Sequence, residues 1–213
     1  RDYAKAPPVL VVNYALPARA AETVASLAKV ISSLEAAGRS VVLAGDSAGG
    51  MLTAELVVHG ATTGRKYAGA VAICPFLDLS LQLDAHERNR RKCVLSKVWL
   101  QEGIRQFLGS AMQTDSNCLF AASRADQDSR AFRSLHSKAM LTVRCLRDVL
   151  ADDGVLLQKK VIEAGGRADA VTIAEVDGWL GIHDGLLYPG VSSPQTDAAH
   201  DQIAAYVATA CQL

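Results

Sequence analysis

Apolar positions along this chain switch repeatedly between two spacings. Residues 9–14, VLVVNY, form a short, almost unbroken valine-rich run. The next segment, PARAAETVASLAKVISSLEAAG at 17–38, places Val24, Leu27, Val30, Ile31 and Leu34 at helical spacing and stops at Gly38. Together they predict a strand followed by an amphipathic helix. The same order recurs downstream. VVLA (41–44) leads into the helical GGMLTAELVVHGA (49–61), and GAVAICP (69–75), MLTVRCL (140–146) and AVTIAEV (170–176) are three further short runs. Helical patterns follow the last two, as DDGVLLQKKVIEAGG at 152–166 and QTDAAHDQIAAYVATACQ at 195–212. Short, continuous apolar strands alternating with amphipathic helices predict an α/β fold with a mostly parallel sheet flanked by helices on both faces.

The rhythm breaks at about 80–135. There the chain reads DAHERNRRK, then a helix-like SKVWLQEGIRQFLG, then the polar QTDSN and SRADQDSR. This is the pattern of an irregular insertion or lid over the sheet, within a single domain spanning 1–213. The cluster Arg88, Arg90, Arg91 and Lys92 reads as a solvated loop face, with a recognition patch as the alternative.

Composition narrows the function classes. Half of the 213 residues are hydrophobic and 21% are charged, enough to bury one sizeable core. Twenty-two basic residues balance 22 acidic ones, so charge points away from nucleic acid and toward small neutral substrates. No stretch has the length of a membrane span, and the opening RDYAKAPP has no apolar signal core. Cys74, Cys93, Cys118, Cys145 and Cys211 are odd in number and contain no CxxC pair. Neither a disulfide framework nor a zinc site is expected, and a reducing, cytoplasmic setting is the default.

Against this background VVLAGDSAGG (41–50) stands out, because Gly45-Asp46-Ser47-Ala48-Gly49 fits Gly-x-Ser-x-Gly between a strand and a helix. A serine on such a turn is forced into strained backbone angles and raised above the sheet, with flanking glycines relieving the close approach of strand and helix. The helix beginning there aims free N–H groups at the same spot, and the Ala48 amide is the candidate oxyanion donor. The pattern alone arises by chance in roughly one chain of this length in fifteen. A catalytic serine, however, also requires an acid and then a histidine, each just beyond a later strand.

Both are present in that order. Asp148 follows MLTVRCL, at a strand's carboxyl end. Asp152 and Asp153 compete with it, but at the start of the next helix they are expected to cap free N–H groups. His183 follows AVTIAEV within the glycine-rich DGWLGIHDG. A neutral imidazole there would take the serine proton, with a carboxylate fixing its tautomer. His59, His86, His136 and His200 are the rivals, and none leaves a strand's carboxyl end. Asp184, next to the base, is expected to point away from it.

GDSAGG, with VVNYALPA before it, PFLDLS after it, DVLADD later and GIHDG near the end, resembles the hormone-sensitive lipase family of α/β-hydrolases, which includes bacterial-type esterases and arylacetamide deacetylases. The resemblance implies the α/β-hydrolase fold, with Ser47 as nucleophile, Asp148 as triad acid, His183 as base and Ala48 as backbone oxyanion donor. It implies cofactor-free and metal-free hydrolysis of short- or medium-chain carboxylic esters. The chain departs from the family in reading NYALPA where a tyrosine, arginine, leucine, alanine, proline, glutamate run is usual, and Cys145 where a glycine precedes the acid. The family's His-Gly-Gly-Gly loop lies upstream of the strand matching VLVVNY, where only RDYAKAPP stands here. The expectation is therefore an N-terminally truncated hydrolase domain without the first strands and part of the cap, weak in activity. Without its usual neighbour, the 9–14 strand is expected either to pair directly beside VVLAG or to leave an open sheet edge that invites association into a homo-oligomer. The alternative from another class is a hydrolase-fold protein that binds ligands without turnover.

Overall fold

Four parallel strands in the order β1-β2-β3-β4 make the framework of the computed structural model. It describes residues 7–14, 20–65, 67–108, 139–173, 182–188, 190 and 192–212. Helix α1 (Ala20–Ala36) precedes β1 (Val42–Asp46), α2 (Ala48–Thr63) and β2 (Gly69–Ile73). Helices α3 (Asp84–Arg88) and α4 (Lys97–Leu108) come next, then β3 (Ala139–Cys145), α5 (Ala151–Glu163), β4 (Arg167–Ile173), a 3-10 turn at Gly185–Leu187 and α6 (Pro194–Cys211). Each of the pairs β1/β2 and β3/β4 is joined through a helix, as parallel pairing demands.

Side chains alternate across the strands and create two apolar layers. Leu43, Ala70, Ala72 and Met140 pack on one face against Met51, Leu52, Val57, Leu157 and Val161 of α2 and α5, with Val24, Ala28 and Ile31 of α1 beyond them. Val71, Leu141, Val143, Val171 and Ile173 point the other way, toward Ala199, Ile203 and Val207 of α6. Burial on both faces explains why the central strands β2 and β3 read as unbroken apolar runs, whereas β1 and β4 keep exposed residues such as Ala44 and Thr172. Ser193 caps α6 by accepting from the Thr196 N–H, with Pro194 at the first helical position.

The first expected strand is a correction. Residues 9–14 take no strand conformation, and Val9, Leu10 and Val11 are 85%, 59% and 85% exposed. Among the described residues β1 occupies an edge of the sheet, and a run of valines without a ladder partner leaves its backbone to water. The remaining strands stand where they were expected, although β4 begins three residues earlier than the apolar run. Its expected end at 174–176, the helix start at 17–19 and positions 109–135 of the expected insertion lie outside the described residues. What is described of that insertion holds helices α3 and α4 joined by irregular turns. Leu100 and Ile104 of α4 pack with Phe76 and Leu81 after β2 and with Val149 and Leu150 after β3.

Candidate active site

Ser47 sits where β1 turns into α2. Its φ of 52° is left-handed, an unfavourable conformation for a residue with a Cβ. Surrounding bonds hold it there: its N–H donates to the Ile73 carbonyl at 2.9 Å, and its own carbonyl accepts from Met51 and Phe76 at 3.2 and 3.1 Å. The turn is so tight that a Cβ on Gly45 would lie 2.3 Å from the Gly49 carbonyl oxygen. Only one glycine of the motif carries that constraint. A Cβ on Gly49 would meet nothing within 4 Å, whereas one on Gly50 would come within 2.9 Å of the Pro75 backbone. Ala48 is the first residue of α2, so no carbonyl within that helix receives its N–H.

The structure brings Ser47, His183 and Asp148 together. His183 Nε2 lies 2.9 Å from Ser47 Oγ, and His183 Nδ1 lies 2.8 Å from Asp148 Oδ2. Asp148 is fully buried and His183 is 5% exposed. The other carboxylate oxygen of Asp148 accepts from the Leu150 N–H at 3.0 Å and from the Cys93 thiol at 3.5 Å. Asn89 pins the turn that carries the acid by donating to the Leu146 and Asp148 carbonyls at 2.9 and 2.7 Å. No sequence signal marked Asn89 or Cys93, because both act through contacts 55 or more residues away.

Asp184 is a second correction. Its carboxylate does not point away but lies 2.9 Å from His183 Nε2. A left-handed backbone at Asp184, φ 51°, folds the side chain back over its neighbour, and aspartate is one of the few residues that tolerate this conformation. Burial pushes the His183 imidazole down, but the Asp148 and Asp184 carboxylates outweigh it and hold the ring up at about 10. Burial also raises Asp184 above the usual carboxylate range, with the His183 charge opposing it.

Asp152 and Asp153 stand in the first turn of α5 but do not serve its N–H groups, which is a third correction. Leu150 occupies the N-cap position without a side-chain cap. Asp153 instead accepts from the Leu77 and Asp78 N–H groups at 2.7 and 2.6 Å. Asp152 accepts from the Ala85 N–H at 2.9 Å and pairs with Arg88 at 2.8 Å. Asp153 thus ties the loop after β2 to α5, and Asp152 ties α3 to it. In the basic cluster, Arg88 is thus paired and Arg90 meets Glu87 at 2.6 Å, in keeping with a solvated face.

Among the rivals, His59 lies within α2, His86 is buried against Asp78 and Asp153, and His200 faces the Leu186 carbonyl at 3.1 Å. His136 lies outside the described residues. Among the described residues, Cys74, Asp148 and His183 hold ligand-type atoms within 4.8 Å of one another. The carboxylate and ring nitrogen are engaged with each other, and the Cys74 thiol is kept protonated by its contact with Cys145 and by burial. No helix among the described residues is long and apolar enough to cross a membrane.

A family model described as alpha/beta hydrolase fold matches residues 2–179. The chain superposes on an esterase/lipase from an uncultured bacterium with a TM-score of 0.71 at 17% identity, covering 90% of this chain and 61% of the other. An esterase of the bacterial hormone-sensitive lipase family gives 0.72 at 19% identity, with coverages of 87% and 59%. A structure from a study of two Rhizomucor miehei esterases gives 0.73 at 21%, with 92% and 62%. This chain spans less than two thirds of the length of these structures. No curated protein matches the sequence.

Proposed function

This chain belongs to the alpha/beta hydrolase fold family, and from that premise we propose that it is a serine carboxylester hydrolase working through Ser47, His183 and Asp148. One observation carries the reading: the continuous chain of contacts from Ser47 Oγ through both ring nitrogens of His183 to the buried Asp148 carboxylate. In the productive protonation state, Asp148 accepts from Nδ1–H, which leaves Nε2 able to accept the Ser47 proton. Ser47 Oγ then attacks the ester carbonyl. The Ala48 amide at the head of α2 faces the developing negative charge, where helix dipole and free N–H act together. His183 returns the proton to the leaving alcohol, giving an acyl-Ser47 ester. Water activated by the same imidazole then releases the acid.

The reading extends to the substrate as a short- or medium-chain ester without a cofactor. Rapid mixing with a p-nitrophenyl ester of a short acid tests it. A burst of p-nitrophenol equal to the enzyme concentration, lost in Ser47→Ala, is expected from an acyl-enzyme. Turnover that persists in Ser47→Ala would overturn the assignment.

A further inference from the structure

Two partners compete for His183 Nε2. Ser47 Oγ and Asp184 Oδ2 each stand 2.9 Å from it, yet they ask opposite things of that nitrogen. A serine hydroxyl that is about to be activated donates to an unprotonated Nε2. A carboxylate is a pure acceptor and rewards Nε2 for carrying the proton. With Asp148 already on Nδ1, a proton on Nε2 makes the ring an imidazolium clamped between two carboxylates. That state leaves Ser47 without its base.

We propose that Asp184 is a positioning residue that holds the proton on His183 Nε2 in the substrate-free protein, and so sets the pH above which Ser47 can be activated. The inference rests on the triad assigned above and adds to it a built-in acidic brake. Ionisable groups from each surrounding element act on the pair. Asp46 from the end of β1 and Asp148 after β3 bear on Asp184. Cys74 after β2 and Tyr188 beyond the 3-10 turn couple to both carboxylates, and Cys93 after α3 couples to Asp148. None of these five brings a positive charge, and the protonated ring itself lies 2.8 Å from the Asp148 carboxylate and 2.9 Å from that of Asp184. The elevated imidazole, held at about 10 by those carboxylates against burial, agrees with this geometry. The sign follows directly. His183 is protonated and inactive below its midpoint, so activity rises with pH, and removing one carboxylate moves that rise to lower pH.

Asp184→Asn and Asp184→Gly provide the test in the 213-residue chain, since asparagine and glycine both accept a left-handed backbone. Two readouts are needed. Nitrogen-15 NMR of the His183 ring, identified by its absence in His183→Gln, reports protonation whether or not the protein turns over. The rate of Ser47 labelling by a fluorophosphonate, measured against pH, reports activation of the hydroxyl. Both midpoints are expected to fall by about one to two pH units in each variant, raising the labelling rate at neutral pH about 10- to 100-fold. Coincident ring midpoints in wild type and both variants would overturn the role of Asp184. Absence of labelling at every pH in all three proteins would instead overturn the triad reading, and the NMR midpoints would still decide what Asp184 does to the ring.

Discussion

Ser47 and His183 form one functional unit, because a serine hydroxyl without its base and a base without its nucleophile are equally idle. Ser47→Ala, His183→Ala and the double variant are therefore expected to show the same residual ester turnover. Independent, multiplying losses would contradict the pairing. Asp148→Asn presents an amide to Nδ1 and favours the wrong tautomer, so it should lower turnover by about 10,000-fold. Asp152→Asn keeps one acceptor oxygen for the Ala85 N–H and weakens a partly exposed pair with Arg88, both away from the triad, so ester turnover under the same assay should remain within about twofold of wild type. The three proposed members were legible in the sequence because each follows an apolar run in chain order: Ser47 directly after β1, Asp148 in the turn after β3 and His183 in the glycine-rich stretch after β4. Asp184 was not legible. Its contact depends on a left-handed φ at one residue, and the only hint was an aspartate followed by glycine.

At the scale of elements, the loop after β2 is fastened to α5 by carboxylates rather than by apolar contact alone. Asp153 is buried and holds the Leu77 and Asp78 N–H groups, while Asp78 in turn accepts from Ser80, Gln82 and Leu83. Asp153→Ala leaves two buried donors without an acceptor, at about 1–3 kcal/mol each. Asp153→Asn retains an acceptor oxygen and removes the charge. Burial raises Asp153 to about 7, so between the usual carboxylate range and that value the folded state holds a proton that the unfolded state has released. Stability contributed by this group therefore falls as pH rises through that window. In urea melts at several pH values, Asp153→Asn should gain on wild type by roughly 1–4 kcal/mol between acid and pH 8. A difference that does not change with pH would contradict the assignment. Helix N-termini favour acids, so Asp152 and Asp153 read in sequence as caps of their own helix; the amides they serve lie 67 to 76 residues earlier, in α3 and in the loop after β2.

For the whole molecule, the central sheet, its parallel order and its two helical layers follow from the apolar runs at 41–44, 69–75, 140–146 and 170–176, each of which lies in or overlaps a strand. Residues 9–14 have the same composition and fail, because a strand is made by its neighbour and not only by its own valines. The exposed Val9 to Val11 and the edge position of β1 belong to a chain that spans less than two thirds of the solved structures it resembles. The three proposed catalytic residues stand in the β1–α2 turn, the turn after β3 and the loop holding His183. Fluorophosphonate labelling of the folded 213-residue protein, read by peptide mass spectrometry between about pH 7 and pH 10, tests their role most directly. A single phosphonyl adduct on the peptide containing Ser47, increasing with pH and absent from Ser47→Ala and His183→Ala, is the expected result. A folded protein with no adduct at Ser47 anywhere in that range, or with an adduct that survives His183→Ala undiminished, would contradict it.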